Sequence, residues 1–398
     1  MLLRTERVMV MAHLKTARRV TSIRPSGIRR LFSLAQGIPD VISLGIGEPD
    51  FVPPSHILEA AKRALDEGQT HYTPTAGIPE LREALVEKAK RDYGLSYDPS
   101  SEALVTTGGA EAIFLALFAL IDPRDEVLIP DPGFVCYHPA VSMAEGRPVS
   151  MPVLEKDSFK LEADAVMSLI TDKSRVIITN TPNNPTGSVL SFNDVSRLAK
   201  LAVERDLTVI SDEVYEKITY DGAEHHCLAA FPGMRERTIV INSFSKTYAM
   251  TGFRVGYALG PQELISAMAL AHQYVTACVN GPAQYAAVAA LKGPQRFVND
   301  MVKELSRRRQ LLHSRLNAIE GFSCLLPEGA FYAFANIEEF GVSSEKLSEF
   351  LLDEGKVVTV PGSSFGRYGE GYLRFSYATA YEKVEEALNR IERVIHKI

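Results

Sequence analysis

The chain of 398 residues has no tryptophan, four cysteines, and no apolar run long enough to span a bilayer. Each lack excludes something. Cys136, Cys227, Cys278 and Cys324 lie far apart without a C-x-x-C pair, which removes the structural-zinc and dithiol-redox readings. They read as neutral thiols of a reducing compartment. The nine histidines contain no H-E-x-x-H and no i, i+4 pair, so no metal is expected. The longest apolar run, Ala112–Ile121, stops at Asp122, and Val8–Val10 is too brief for the apolar core of a secretory signal, with Lys15, Arg18 and Arg19 following closely. A cytoplasmic location and no membrane partner are expected. A net charge of −6 leaves no basic footprint for nucleic acid. No internal repeat or low-complexity tract is present.

The composition, 46% hydrophobic and 23% charged, is that of a globular protein large enough for two unequal domains. Ser26–Gln36 reads as a short amphipathic helix. Val41–Asp50 is a strand that breaks at Gly45 and Gly47 into a proline-rich bend. Ser55–Glu67 and Pro79–Tyr93 are helical, separated by the polar loop Gly68–Gly77 that holds Tyr72. From Ala103 a regular alternation begins. Strands are expected at Ala103–Thr107, Glu126–Pro130, Arg147–Val153, Arg175–Asn180, Leu207–Ser211, Thr238–Ser243 and Arg254–Leu259, with helical patterns between most of them. Ser191 and Asp194 form a capping box for one of these helices. Apolar strands alternating with helices mean an α/β fold with a mostly parallel sheet. The later part changes to short strands (Phe322–Leu326, Gly329–Asn336, Val357–Pro361, Tyr372–Ala378) and helices (Ser344–Glu354, Ala380–Lys397), the last capped by Thr379 with Glu382. The expected division is an N-terminal segment (1–54) packing with a small α+β domain (291–398), and a large domain (55–290) between them.

The chemistry-bearing residues fall where those strands end, which is where an open α/β sheet places its ligands. Lys246 follows the strand Thr238–Ser243 among the hydroxyls of Ser243, Ser245 and Thr247. A desolvated lysine there can lose its proton and bond a carbonyl as a Schiff base. Gly108, Gly109 and Ala110 join a strand to a helix start, an anion site suited to phosphate. Asn180–Gly187 reads N-T-P-N-N-P-T-G, whose prolines restrict Asn184 and leave its amide able to donate to an oxygen. Asp212 closely follows the apolar run Leu207–Ile210, so its carboxylate is partly buried and calls for a cationic partner, the alternative for it in isolation being a helix cap; Tyr215 lies three residues on. Arg254 begins one strand pattern and Arg374 lies inside another, and an arginine so placed implies a desolvated anion. The alternative for Arg374 is an ion pair to an aspartate. Gly362–Gly366 fits the hydrolase pattern G-x-S-x-G, but a glycine-rich turn follows where that motif needs a helix.

Assembled, these parts other than Arg374 give one consistent ligand. Lys246 takes a carbonyl, the Gly108–Ala110 junction with Arg254 and nearby serines takes a phosphate, Asp212 takes a protonated ring nitrogen, and Asn184 with Tyr215 takes a phenolic oxygen. That ligand is pyridoxal 5'-phosphate.

From about Ser26 onward the chain resembles the class I/II aminotransferases of pyridoxal-phosphate fold type I, most closely the archaeal aromatic or broad-specificity branch. The motifs, in order, are L-G-I-G-E-P-D-F, H-Y-T-P-T-A-G-I-P-E-L-R, N-N-P-T-G, S-D-E-V-Y, S-F-S-K-T-Y-A-M-T-G-F-R and Y-L-R-F-S-Y-A. The resemblance implies a large domain with a mostly parallel seven-stranded sheet flanked by helices, and a smaller α+β domain. It implies that Lys246 carries the cofactor and shuttles the proton, Asp212 holds the pyridinium, and Asn184 and Tyr215 hold the ring oxygen. It further implies that Phe134 stacks on the ring and that Gly109, Ala110, Ser243, Ser245 and Arg254 bind the phosphate. Tyr72 would reach the phosphate of a partner subunit in a homodimer whose active sites are shared across the interface. Arg374, supported by Gly47 and Asn184, would grip the substrate α-carboxylate. Phe134 departs from the tryptophan or tyrosine of many relatives, and Ala110 replaces a lysine found in some dicarboxylate-using ones. The implied reaction is ping-pong transamination between an L-amino acid, aromatic or of broad range, and 2-oxoglutarate. Aspartate is the alternative donor, and a β-lyase on the same cofactor and an effector-binding half of a transcription regulator are the remaining alternatives.

Overall fold

The computed structural model describes residues 16–21, 23, 27 and 34–398. Most of the helix expected at Ser26–Gln36 lies outside them. The strands are β1 (Ile42–Ser43), β2 (Ala103–Thr106), β3 (Glu126–Asp131), β4 (Arg147–Pro152), β5 (Ser174–Asn180), β6 (Thr208–Asp212), β7 (Thr238–Ser243), β8 (Gly256–Leu259), β9 (Ser323–Cys324), β10 (Tyr332–Asn336), β11 (Val357–Val358), β12 (Val360–Pro361) and β13 (Tyr372–Ser376). Seven of them form one sheet in the order β2-β8-β7-β6-β5-β3-β4. Only β8 runs against its neighbours, so the sheet is mostly parallel.

The apolar runs build this sheet because both of its faces are covered. Along β7, Ile239 and Ile241 pack into one apolar cluster and Val240 into another, as the period of two requires. Along β5, Val176 and Ile178 face the first side and Ile177 the opposite one. The helices Gly109–Leu120, Tyr137–Met143 and Gln262–Val275 supply the first cluster through Ile113, Tyr137 and Met268. The helices Pro79–Tyr93, Phe192–Glu204 and Gly281–Lys292 cover the other face through Leu81, Leu198 and Ala286.

The C-terminal part carries a four-stranded antiparallel sheet in the order β12-β13-β10-β9. β1 pairs in parallel with β11, bringing the Gly45–Gly47 stretch beside β13. Among the described residues no helix is long and apolar enough to cross a membrane.

Two local expectations are corrected. The final helix begins at Tyr381 with Ala380 at its N-cap and no side-chain cap, so Glu382 sits at its second position, one short of where a Thr379–Glu382 box needs it. Arg254 does not begin a strand. It ends the short 3₁₀ turn Thr251–Phe253 at φ 57°, and β8 starts two residues later. The apolar run after Arg254 reads as a strand from that residue on, but the chain must reverse into the antiparallel β8, and a left-handed residue makes the bend. The Ser191–Asp194 capping box is present, with both reciprocal bonds formed.

Gly256 of β8 lies opposite Thr106 of β2 and Ser243 of β7. A Cβ there would come within 2.5 Å of the Gly108 carbonyl carbon and 2.6 Å of the Gly109 nitrogen. Gly256→Ala is therefore expected to lower stability by roughly 1–3 kcal/mol, since backbone must move. Ser191→Ala, in a helix cap elsewhere, is expected to cost about 1 kcal/mol and leave the Gly108 turn undisturbed. Urea unfolding of both variants checks the pair.

Candidate active site

Six strands of the large sheet present their carboxyl ends, and β8 its amino end, along one edge. The register aligns Asn180 with Asp212 and Asp212 with Ile241, so the ends of β5 and β6 stand side by side and β7 runs two residues beyond them to Ser243. After β7 the side chain of Ser243 accepts the Ser245 N–H at 3.1 Å and opens a four-residue helix, Phe244–Thr247. That turn lifts Lys246 into an open cleft of about 350 Å³ lined by Ile46, Gly47, Glu48, Ser245, Lys246, Thr251, Gly252 and Arg254. Lys246 Nζ donates to the Gly47 carbonyl at 2.6 Å. Burial pushes its ammonium down to about 8, with the Arg254 and Arg374 charges adding to the effect and Glu48 opposing it.

Asp212 is buried at the end of β6 and has no cation bonded to it among the described residues. Its Oδ2 accepts the Tyr137 hydroxyl at 2.6 Å. Burial raises its carboxyl to about 6, against the pull of the Tyr137 bond. Asn180 Nδ2 donates to the Asp212 carbonyl at 3.0 Å, while its Oδ1 accepts the Asn184 N–H at 2.9 Å. One side chain thus ties the Asn-Pro loop to the aspartate's strand.

Arg374, in the middle of β13, is 2% exposed and has no carboxylate partner among the described residues. Nη1 donates to Asn184 Oδ1 at 2.9 Å and Nη2 to the Gly45 carbonyl at 2.7 Å. The guanidinium carbon lies 4.3 Å from the centre of the Tyr332 ring and 4.8 Å from that of Phe365, and Nε is buried without a hydrogen bond. With Asn184 Oδ1 committed to Arg374, its Nδ2 remains as a donor. The Tyr215 hydroxyl meets that of Tyr332 at 2.9 Å. The ion pair to an aspartate that sequence left open for Arg374 is not formed among the described residues.

The glycine turn has the geometry that an anion site needs. Gly108 has φ 81° and the helix starts at Gly109, leaving its first N–H groups without intrahelical partners. Arg254 closes the other side. Nη2 reaches the Thr107 carbonyl at 3.5 Å, Nη1 the Thr251 carbonyl at 3.1 Å, and a Cβ on Gly108 would meet Nη2 at 2.6 Å. Ser243 and Ser245 hydroxyls, 2.8 Å apart, lie nearby at the end of β7. Phe134 is half-buried and meets the Tyr137 ring edge-on at 5.7 Å. Tyr72 stands 90% exposed, and the single chain does not bury it in the cleft.

Sequence reasoning missed Tyr137, Tyr332 and Glu48. Tyr137 ends the stretch D-P-G-F-V-C-Y that holds Phe134, three residues on and so on the same side of a helical turn. No comparable signal marked Tyr332. Folding also assembles Glu213, Glu216 and His225 within 4.8 Å of one another. These are already engaged, Glu216 by Lys88 at 2.5 Å and Glu213 by His225 at 2.9 Å.

The donor set fits pyridoxal phosphate. A lysine of depressed pKa, a buried carboxylate lacking a cation and a glycine cradle faced by Arg254 each match one of its functional groups, and the unpartnered Arg374 Nε is left for a further anion. The family model for aminotransferase class I and II matches residues 39–391. Aromatic-amino-acid aminotransferase 2 of Thermococcus litoralis is 48% identical over 379 residues, 95% of this chain and 97% of that one. An aspartate aminotransferase of Pyrococcus abyssi is 49% identical over 381 residues, 95% and 98% of the two chains. The crystal structure of an aromatic aminotransferase from Pyrococcus horikoshii superposes with a TM-score of 0.88 at 49% identity, covering 93% of this chain and 99% of that one. Cleft geometry, family model and relatives agree: the chain belongs to the class I and II aminotransferases, enzymes that work with pyridoxal phosphate.

Proposed function

We propose that this enzyme moves the amino group of an L-amino acid, aromatic or of broad range, to 2-oxoglutarate in a ping-pong cycle. The observation that carries the reading is the shared location of Lys246, Asp212 and an Arg374 without a carboxylate partner. Pyridoxal phosphate, when bound, supplies an aldehyde carbon to carry the amino group and a ring that takes up electron density as the α-proton leaves. Asp212 would hold the ring nitrogen protonated, because above about pH 6 it is a carboxylate with no other cation to satisfy. Tyr137 orients that carboxylate. Asn184 Nδ2 and Tyr215 would donate to the ring oxygen, and Gly109, Ala110, Ser243, Ser245 and Arg254 would hold the phosphate, with Gly108 shaping the turn. Phe134 would stack on the ring.

Arg374 binds the substrate α-carboxylate, with Gly47 and Asn184 beside it. Its fork is already oriented by Asn184 Oδ1 and the Gly45 carbonyl, so little further ordering is needed on binding. Lys246 Nζ takes the proton from the α-carbon and returns it to the cofactor's aldehyde carbon. With its pKa near 8, about a tenth is neutral at pH 7, against roughly one part in three thousand for an ordinary lysine.

Two further parts of the reading follow from position. Tyr72, exposed on the single chain, would complete the phosphate site of a second copy in a homodimer. The four cysteines are free thiols, which supports a reducing, cytoplasmic setting. Pairing of β1 with β11 supports a division in which the described part of the segment 1–54 packs with a small domain (291–398) beside the large one (55–290).

Among donors, Ala110 at the start of the cleft helix leaves no cation there for a second carboxylate, which favours aromatic or broad use. Aspartate is the second reading, favoured by the 49% identity to the Pyrococcus abyssi enzyme. A panel of amino donors against 2-oxoglutarate is expected to give higher kcat/KM for phenylalanine and tyrosine than for aspartate, and the reverse order would install the second reading. Arg374→Ala is expected to lower kcat/KM for every donor by about a hundredfold, the worth of a charge-assisted pair to carboxylate.

The lysine assignment also has a pH signature. Only neutral Nζ can attack the aldehyde, so capture of pyridoxal phosphate by the cofactor-free protein is expected to speed up about tenfold per pH unit and to level off near pH 8. Stopped-flow absorbance measures this, and a rate still climbing above pH 9 would exclude a desolvated lysine.

A further inference from the structure

The turn that cradles phosphate is held from behind by a carboxylate with no place in the chemistry described above. Glu111 is the third residue of the Gly109–Leu120 helix. Its Oε2 accepts the Thr107 N–H. Its Oε1 accepts from two groups on the Gln262–Val275 helix and its end, Thr276 Oγ1 at 2.6 Å and His272 Nδ1 at 3.1 Å. His272 is fully buried, and its Nε2 has no partner. A carboxylate accepts only, so Nδ1 carries the hydrogen. Burial works to raise the Glu111 pKa, yet the bonds from His272, Thr276 and Thr107 outweigh it and hold the group below the usual carboxylate value.

On electrostatics alone this arrangement is adverse. An anion in the first turn occupies the positive end of the helix where a phosphate is to bind, and two anions there repel. The arrangement is intelligible if the hydrogen bond to Thr107 outweighs that repulsion. Thr107 begins the turn whose left-handed Gly108 leads into the free N–H groups of Gly109 and Ala110. Gly256 limits the turn from below and Arg254 from the side. Glu111 fixes its remaining end, anchored to a helix on the far side of the cleft helix.

We propose that Glu111, braced by His272 and Thr276, is a positioning residue for phosphate recognition: it holds the Thr107–Ala110 turn in the shape that presents its N–H groups to the cofactor's phosphate. This assignment rests on the reading of that turn as the phosphate site. It predicts an effect opposite in sign to simple charge repulsion, because removing the anion weakens phosphate binding instead of tightening it.

The test is equilibrium binding of pyridoxal phosphate and of pyridoxal, which lacks the phosphate, to the cofactor-free full-length protein. Wild type is expected to prefer pyridoxal phosphate strongly. Glu111→Ala is expected to lose at least about tenfold in affinity for pyridoxal phosphate while its affinity for pyridoxal stays within about twofold. Glu111→Gln keeps an acceptor for Thr107 and is expected to stay within about threefold of wild type for both. Should Glu111→Ala fail to fold, Thr276→Val removes one brace isosterically and is expected to weaken pyridoxal phosphate about threefold with pyridoxal unchanged. Equal loss of both ligands, no loss, or tighter phosphate binding in Glu111→Ala overturns the assignment, as does a Gln variant as weak as the Ala variant. A wild type that holds pyridoxal as tightly as pyridoxal phosphate overturns the phosphate site itself, and the role of Glu111 with it.

Discussion

Keeping a guanidinium away from water without giving it a counter-ion is the constraint on which this structure turns. An unpaired charge in the interior is costly, and Arg374 accepts that cost in the middle of a strand. Its surroundings limit the cost without cancelling the charge. A neutral amide oxygen and a backbone carbonyl take two of its donors, and two aromatic faces cover the planar group. A carboxylate supplied by the protein would have made the site cheaper and useless. Burial lowers the Arg374 pKa, but an arginine remains charged under any condition the protein meets. The site therefore waits for an anion.

The same logic runs with opposite signs along the sheet edge. Lys246 is desolvated towards neutrality, and Asp212 is desolvated towards protonation but still ionised at neutral pH. Neither is paired to the other by a hydrogen bond. Lys246 spends its donor on the Gly47 carbonyl, and Asp212 accepts from Tyr137. Two titratable groups whose environments move their pKa values towards the working range, held apart by separate neutral partners, suit the proton transfer proposed for this site.

Much of this was legible because the groups lie at strand ends in short contiguous motifs. Lys246 after β7, Asp212 at the end of β6, Asn184 after β5 and the Gly108 turn after β2 could be read from the chain, since a parallel sheet brings its carboxyl ends to one edge whatever the loops do. Tyr137 and Tyr332 could not be placed that way. Their contacts, to Asp212 and Tyr215, join residues 75 and 117 positions apart, and only three-dimensional packing makes them neighbours. The misread start of β8 has a related cause: Arg254 adjoins the apolar run that forms the strand, but the left-handed bend is imposed by the reversal of direction, which the local residue pattern does not record. Likewise Thr379 and Glu382 have the spacing of a cap, and the helix begins one residue later than that spacing assumes.

The N-terminal stretch Gly45–Glu48 joins these parts into one mechanical unit. The Gly45 carbonyl accepts from Arg374, the Gly47 carbonyl from Lys246, and the Glu48 carboxylate from Thr251, at 2.7, 2.6 and 2.9 Å. A Cβ on Gly47 would lie 2.5 Å from the Tyr332 hydroxyl, the group that bonds Tyr215 and whose ring covers Arg374. Glycine at 47 is therefore demanded by close approach, since any side chain would push the strand off Tyr332 and carry both carbonyls with it. Four residues of irregular backbone thus set the distance between Arg374, proposed to bind the substrate carboxylate, and Lys246, proposed to move the proton. Their place is fixed by the pairing of β1 with β11, so the catalytic spacing is determined by a two-residue strand at the edge of the small sheet system as much as by the large sheet that carries the lysine.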